Sequence, residues 1–273
     1  MQIDQRFTEW LNGPDFRLSY STLKSILSSP ANFYSTIMEK LTKTEQEPTP
    51  AQRFGTLIHT LVLEPETFEG KYVVGKKFGR TKAEQEEKAL FAEQNAGKIV
   101  LTDEEFEKAQ MILSSGSDEL NDMREQLGYA ELVIQKDIEE LRFKTIIDGL
   151  SLDHATIFEV KTTSDVDADK LLSSFYNYKY TMQAALYRRM VREFHGVDPI
   201  LEYVVVQTVA PYKVYMLPAT DRYIAYGEKQ LTDAISEFKM TRSLGNWGDG
   251  WNLKALDLPS WAVKQQERKD LEF

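Results

Sequence analysis

Hydrophobic positions along the chain follow two successive periods. Up to about residue 128 they recur at helical spacing. Leu23, Ile26 and Leu27 follow Ser21, a candidate cap; Phe33, Tyr34 and Ile37 follow Ser29-Pro30; Phe54, Leu57, Ile58, Leu61 and Val62 follow Thr49-Pro50 and are closed by Pro65. A hydroxyl side chain before a proline supplies a cap and a first-turn residue that has no amide to leave unpaired. A short strand is expected near Tyr72-Val73-Val74, then an exposed loop and a solvated helix in the charged stretch Lys71 to Lys98. Thr102 and Glu105 form a candidate capping box for the next helix, and Asp118 to Leu127 can form another. From Glu131 the period becomes two. Glu131 to Ile138 and Leu141 to Asp148 read as an antiparallel hairpin around Glu139-Glu140, and Thr156 to Thr162 as a third strand. One helix is expected from Asp167 to Phe194, then strands over Leu201 to Val209 and Lys213 to Leu217 on either side of Pro211, and a helix from Asp221 to about Lys239. No internal repeat is visible. This order predicts an α/β fold: a mixed central sheet flanked by helices, with a helical N-terminal elaboration. The reading is one domain over residues 1–273, in which a helical N-terminal region (1–128) precedes a core (129–240) and a tail (241–273).

Composition narrows the picture. The chain has 273 residues, 42% hydrophobic and 28% charged, enough for a sizeable core. No apolar run is long enough to span a bilayer, so no membrane association is expected. Met1 to Trp10 carries Asp4, Arg6 and Glu9 and lacks the order of a secretory signal. Cysteine is absent, which excludes disulfides, zinc–thiolate sites and cysteine-ligated clusters. A cytoplasmic location is the default. The net charge of −10 argues against a protein that coats nucleic acid, because such proteins draw most of their affinity from phosphate contacts. Any nucleic-acid role must therefore come from local features.

The strongest local feature is Asp148 followed by Glu159-Val160-Lys161. Alternation along a strand puts Glu159 and Lys161 on one side, and the short Ser151 to Ala155 connection can fold Asp148 back beside Glu159. Two carboxylates and a lysine then meet at one sheet edge. Hard divalent cations prefer oxygen ligands of this kind, and a cation there can activate water and neutralise charge on a phosphodiester. Taken alone, this spacing fits an exposed, salt-bridged strand better than a catalytic centre.

Its surroundings reverse that judgement. Leu18-Ser19-Tyr20-Ser21-Thr22-Leu23 comes first, then Ser29-Pro30-Ala31-Asn32-Phe33. Arg53-Phe54-Gly55-Thr56-Leu57-Ile58-His59 and Leu63-Glu64-Pro65-Glu66 follow. Ile147-Asp148-Gly149, Phe158-Glu159-Val160-Lys161-Thr162-Thr163 and Gln183-Ala184-Ala185-Leu186-Tyr187 complete the series. This ordered set, over roughly residues 18 to 220, resembles the RecE-like and RecB-like branch of the PDDEXK nucleases, including phage exodeoxyribonucleases of the exonuclease VIII type. The resemblance implies a magnesium-dependent exonuclease, with manganese able to substitute. It would degrade linear double-stranded DNA from an end, 5′ to 3′, and leave 3′ single strands for recombination. It also implies a single-strand annealing protein as partner, a ring-shaped homo-oligomer and, for a phage protein, the host cytoplasm. Two other readings stand beside it: a RecB-like or structure-selective DNA nuclease without strict end dependence, and a non-catalytic DNA-binding module. Family members often have aspartate where this chain has Glu159, an exchange that should preserve metal binding.

The same resemblance assigns residues. Asp148, Glu159 and Lys161 become the catalytic centre, and His59 a metal ligand, although a lone histidine on an apolar helix is more often a core residue. Gly55, one turn before His59, would leave space beside the ring. Glu131 is either a further ligand or an exposed edge-strand carboxylate. Val160 can offer its backbone carbonyl to the metal. Gln183 and Tyr187 share a helix face and would orient the lysine or the DNA backbone; otherwise they pack with Leu186 and Met190. Arg53, Lys76, Lys77 and Arg80 are candidates for phosphate contact, and Arg188, Arg189 and Arg192 form a second basic cluster, though such clusters are usually solvated surface. His154 falls in a connection and His195 at a helix end. Of the tail tryptophans Trp247, Trp251 and Trp261, packing against the domain or a neighbouring subunit is favoured over stacking on bases.

Overall fold

The computed structural model describes residues 3–42 and 48–248. Three helices open the chain: α1 (Gln5–Asn12), α2 (Tyr20–Ser28) and α3 (Pro30–Thr42). The cap of α2 is Ser19 rather than Ser21, because Thr22 at the third helical position accepts the Ser19 amide at 2.8 Å. The helix α4 (Pro50–Leu63) begins with the expected proline and a reciprocal Thr49–Gln52 box, and a tight turn at Pro65–Thr67 and the short α5 (Phe68–Lys71) follow it. The strand β1 (Tyr72–Val74), the helix α6 (Lys82–Gln94), the strand β2 (Ile99–Leu101) and the helices α7 (Asp103–Ser115) and α8 (Ser117–Gln126) complete the N-terminal region. The Thr102–Glu105 box starts α7 as expected. The strand β2, which the sequence pattern did not signal, pairs in parallel with β1 to make a separate small sheet.

The central sheet comprises β3 (Leu127–Ile138), β4 (Leu141–Ser151), β5 (Thr156–Thr163), β6 (Ile200–Gln207) and β7 (Val214–Pro218), hydrogen-bonded in that order. The hairpin β3–β4 turns through Glu139 and Glu140, both with positive φ, as a tight two-residue turn requires. Only β5 and β6 run parallel, and the crossover between them carries α9 (Ala168–Asn177) and α10 (Tyr180–His195). The final described helix is α11 (Asp221–Leu244), ended by Gly245 in the left-handed conformation.

The single helix expected between Asp167 and Phe194 is broken at Lys179, which has φ 62°. On a straight helix Phe175 and Tyr180 would lie about 140° apart. The break brings both rings onto Tyr203 of β6, at centroid distances of 5.0 and 6.4 Å.

Each face of the sheet carries its own core. On one face Ile147, Ile157, Leu201, Tyr203 and Val205 pack with α1, α2, α3, α10 and α11. On the other, Phe158, Val160, Val204 and Val206 pack with α4, α7 and α8. The strand β5 alternates between the two, so Glu159 and Lys161 share the side of Ile157 while Phe158 and Val160 face α4. Trp247 is 4% exposed and stands against Phe7, Phe33 and Phe238. That agrees with a packing role; Trp251 and Trp261 lie outside the described residues. Among the described residues no helix is long and apolar enough to cross a membrane.

The helices α11 and α10 meet closely at Gly227. A Cβ built on Gly227 would lie 2.0 Å from the Thr181 carbonyl oxygen. Gly227→Ala should therefore destabilise the protein by about 1–3 kcal/mol, the usual range for an overpacked contact. Gly70, with nothing within 4 Å of such a Cβ, is the control, and Gly70→Ala should leave stability unchanged or slightly raised. Urea unfolding of the two variants checks this; equal midpoints would contradict it.

Candidate metal centre

The strands β4 and β5 are paired for only two residues, Gly149↔Phe158 and Leu150↔Ile157, and then diverge. The edge of β4 that β5 leaves open is taken up by Leu18, whose amide donates to Arg142 O at 2.7 Å and whose carbonyl accepts from Lys144 N at 2.8 Å. Asp148 and Glu159 stand at the fork. Asp148 Oδ2 accepts from the Val160 amide at 2.9 Å, a side chain standing in for a ladder partner. Gly149 is constrained by packing, since a Cβ there would lie 2.8 Å from Leu127 and 3.2 Å from Phe158.

Glu131 sits in the middle of β3, not at its start, and has φ 49°. The register Ala130↔Gly149 and Leu132↔Ile147 places it opposite Asp148. A left-handed glutamate within a strand is uncommon, and such backbone states concentrate at functional sites. From the other side, α4 brings in His59, with Nδ1 3.7 Å from Asp148 Oδ2. Atoms of His59, Glu131 and Asp148 all lie within 4.8 Å of one another. The end of α4 is held by Arg124 of α8, whose guanidinium donates to the carbonyls of Leu61 and Val62 at 2.7 and 3.1 Å.

Glu159 is 1% exposed. Its Oε1 accepts from Lys161 Nζ at 2.5 Å and from Gln183 Nε2 at 2.7 Å, and the same Gln183 nitrogen donates to the Tyr187 hydroxyl at 3.0 Å. Gln183 and Tyr187 thus reach the centre from α10, Tyr187 through Gln183. The second oxygen, Glu159 Oε2, is buried with no hydrogen-bond partner. Leaving such an atom unpaired costs about 1–3 kcal/mol, and more for a charged group.

The electrostatics follow from this crowding. Burial pushes the Asp148 carboxyl up to about 6, and the Lys161 charge and Val160 amide only partly offset it. Burial, with Asp148 adding repulsion, pushes Glu159 up to about 7 against the pull of Lys161. Glu131 is raised by burial and by its acidic neighbours. His59 is lowered, by burial and then by Lys161. For Lys161 burial acts to release the proton, but Glu159 and Asp148 outweigh it and the ammonium is held. A divalent cation fits this donor set: crowded carboxylates, one unpaired buried oxygen and a neutral imidazole beside them.

Two clefts flank α4. One, of about 790 Å³, is lined by Lys161, Thr162, Tyr178, Tyr180, Phe54 and Lys108, among others. The other, of about 810 Å³, is lined by Gln52, Gly55, Thr56, His59 and Glu131 with Pro48 and Thr49. Between them a Cβ on Gly55 would meet Thr162 Oγ1 at 3.6 Å, an ordinary contact, so Gly55 leaves a small gap but is not sterically obligatory. Arg53 reaches Glu105, a wall residue of the first cleft, at 4.0 Å. Lys76, Lys77 and Arg80 lie beyond β1 and line neither cleft. Lys76 sits over Phe91 and Lys77 is 3.9 Å from Asp103. Arg188 and Arg189 pair with Asp198 and Glu139 at 3.1 and 3.0 Å. His154 and His195 stack on each other at 3.9 Å, in the β4–β5 connection and at the end of α10. Tyr178 and Tyr180 had no motif to mark them; they enter the first cleft because α9 and α10 are separate helices.

The sequence profile of the PDDEXK-like domain of unknown function (DUF3799) matches residues 19–250. The chain belongs to that family. A solved structure described as a "Putative exonuclease" from Eubacterium rectale shares the PDDEXK-like fold, with TM-score 0.58 and 16% identity over 97% of this chain and 98% of that one. A "phage related exonuclease" from Haemophilus somnus 129PT has 13% identity over 85% of this chain and 97% of that one, at a TM-score of 0.33, too loose an overlap to compare the folds. No curated protein matches the sequence. The mixed sheet and flanking helices of this PDDEXK-like chain agree with the architecture expected from its pattern.

Asp148→Asn removes one crowded charge and keeps an acceptor for the Val160 amide. In chelator at neutral pH it should stabilise the protein by about 1–3 kcal/mol, since ionising a carboxyl raised to about 6 opposes folding above that pH. The sign is that of a raised acid: the contribution is fully present below the unfolded value and is lost as pH climbs from about 4 to about 6. Thermal unfolding in EDTA tests it, and a lower melting temperature for Asp148→Asn would contradict it.

Proposed function

We propose that this chain is a divalent-metal-dependent deoxyribonuclease that degrades linear duplex DNA from an end, 5′ to 3′, yielding 3′ single strands for recombination. The observation that carries this reading is the fork of β4 and β5, where Asp148, Glu131 and His59 converge, and where Glu159 on β5, outside that cluster, keeps a buried oxygen unpaired. Membership of the PDDEXK-like family supports it. Asp148, Glu159, Glu131, His59 and the Val160 carbonyl would hold the cation, magnesium or in its place manganese. When bound, such a cation supplies Lewis acidity and a water of lowered pKa for phosphodiester hydrolysis.

The chain's own groups have separate tasks. Lys161 keeps its proton and so supplies positive charge to the developing phosphorane rather than acting as a base. Gln183 is a positioning residue: it holds Glu159 Oε1 and leaves the other oxygen free. Tyr187 steadies that amide. Arg53, near Glu105 on the wall of the first cleft, would meet a terminal phosphate. The net charge of −10 favours end dependence, since weak attraction to duplex flanks leaves the cleft as the point of entry. Polarity, annealing partner and ring-shaped oligomer rest on the resemblance of the motifs, and the single-domain arrangement on the order of elements along the chain.

Digestion of a duplex labelled separately at its 5′ and 3′ ends, with a closed circle as control, tests the reading. The 5′ label should be lost first and the circle spared. Rapid cutting of unnicked circles would overturn end dependence, and early loss of the 3′ label would overturn polarity. Asp148→Ala and Glu159→Ala should abolish turnover, and Lys161→Ala should reduce it by about 100- to 1,000-fold while sparing metal binding. Wild-type degradation by any of these folded variants would refute the assignment.

His59→Ala should raise the manganese concentration needed for half-maximal activity without lowering the melting temperature measured in EDTA. An unchanged metal requirement, or unfolding of the variant, would make His59 a structural residue.

A further inference from the structure

The break between α9 and α10 leaves a cluster that the catalytic reading does not use. Tyr178 is 53% exposed and lines the cleft that also contains Lys161. Its ring lies beside Tyr180, with centroids 5.6 Å apart and planes 24° from parallel, and Tyr180 in turn lies 4.8 Å below Lys161 Nζ. Lys24 Nζ stands 5.5 Å from the Tyr178 ring and 5.7 Å from Tyr20. Lys179, in the left-handed conformation, places its ammonium 4.8 Å over Tyr176, itself 52% exposed. The Tyr20 hydroxyl donates to the Tyr178 carbonyl and fixes the break to α2.

Here Tyr176 and Tyr178 are more than half open, each with a lysine ammonium over its ring, and the Tyr178–Tyr180 stack leads to the lysine at the strand fork. Of the charged residues on the cleft wall, Lys108 and Lys161 are basic and Glu104, Glu105 and Asp165 acidic, while Lys24 and Lys179 meet the tyrosine rings outside that wall. Interleaved aromatic and basic groups suit unpaired nucleotides, which offer a stacking face and a phosphate at each step; paired bases inside a duplex expose no such face. The cleft, at about 790 Å³, is within the range that encloses small organic ligands.

We propose that Tyr178, with Lys24 beside its ring, is a stacking platform that receives unpaired nucleotides of a DNA end and leads them to Lys161. The proposal rests on the nuclease reading for what happens beyond Lys161, but the binding it describes needs no hydrolysis.

Fluorescence anisotropy with the full chain in EDTA separates the two. The probes are a short labelled single strand, a blunt duplex, and the same duplex with unpaired ends. The single strand and the duplex with unpaired ends should bind more tightly than the blunt duplex. Tyr178→Ala should weaken single-strand binding by roughly five- to a hundredfold, while Tyr178→Phe should retain it. Lys24→Gln leaves the ring in place and should weaken the same binding severalfold, which covers the case of a poorly folded alanine variant. No preference for unpaired ends, no single-strand binding by the wild type, or wild-type affinity in folded Tyr178→Ala would each overturn the platform. If the platform variants behave as expected and the wild type fails to hydrolyse DNA with magnesium or manganese, the nuclease reading falls and the platform stands.

Discussion

Keeping several carboxylates together in a low-dielectric site opposes folding, and the arrangement of this protein centres on how that is done. Asp148 and Glu159 are both pushed toward protonation by burial. The chain holds them where two strands stop pairing, so that the amide freed by the fork binds Asp148 and a side-chain amide from α10 binds Glu159. The lysine between them offsets some of the repulsion. Glu159 Oε2 remains without a partner, and a cation is what would complete it.

The rest of the fold keeps the fork from closing or relaxing. Leu18 occupies the edge of β4 that would otherwise seek β5. The α4 side is fixed by the core around Phe158 and Val160 and by Arg124, which ties the last turn of α4 to α8. The opposite side is fixed by α10, pressed against α11 at Gly227 so closely that no side chain fits. His59 therefore approaches Asp148 and Gln183 approaches Glu159 from opposite faces of the sheet, each on a helix whose position is set by its own core. Side chains held in this way need little reorganisation when charge changes at the centre, which is the condition for electrostatic catalysis.

Much of this was legible in the sequence because it is local. Alternation put Glu159 and Lys161 on one side of β5, the Thr49 and Thr102 boxes started their helices, and Glu139-Glu140 turned the hairpin. The ordered motifs brought in His59, Gln183 and Tyr187, whose convergence no single motif contains. Features that depend on distant partners were not legible. The helix break at Lys179 is set by packing of Phe175 and Tyr180 on Tyr203, and helical periodicity runs through it without a glycine or proline to mark it. Three-residue β2 exists because β1 lies beside it. Ser19 displaced Ser21 as a cap through a reciprocal bond to Thr22. The basic run Lys76 to Lys82 is conspicuous as sequence, yet its described residues line neither cleft beside α4, because charge clustering along a chain carries no information about where that segment is placed.

The central claim is that the fork is a divalent-metal site completed by a buried carboxylate oxygen. Anomalous diffraction from crystals soaked in manganese tests it most directly. The account predicts one strong peak within coordination distance, about 2.0–2.4 Å, of Glu159 Oε2 and an Asp148 oxygen, with the His59 imidazole turned toward it. Manganese bound only at surface carboxylates, with Glu159 Oε2 still unliganded in its pocket, would contradict it.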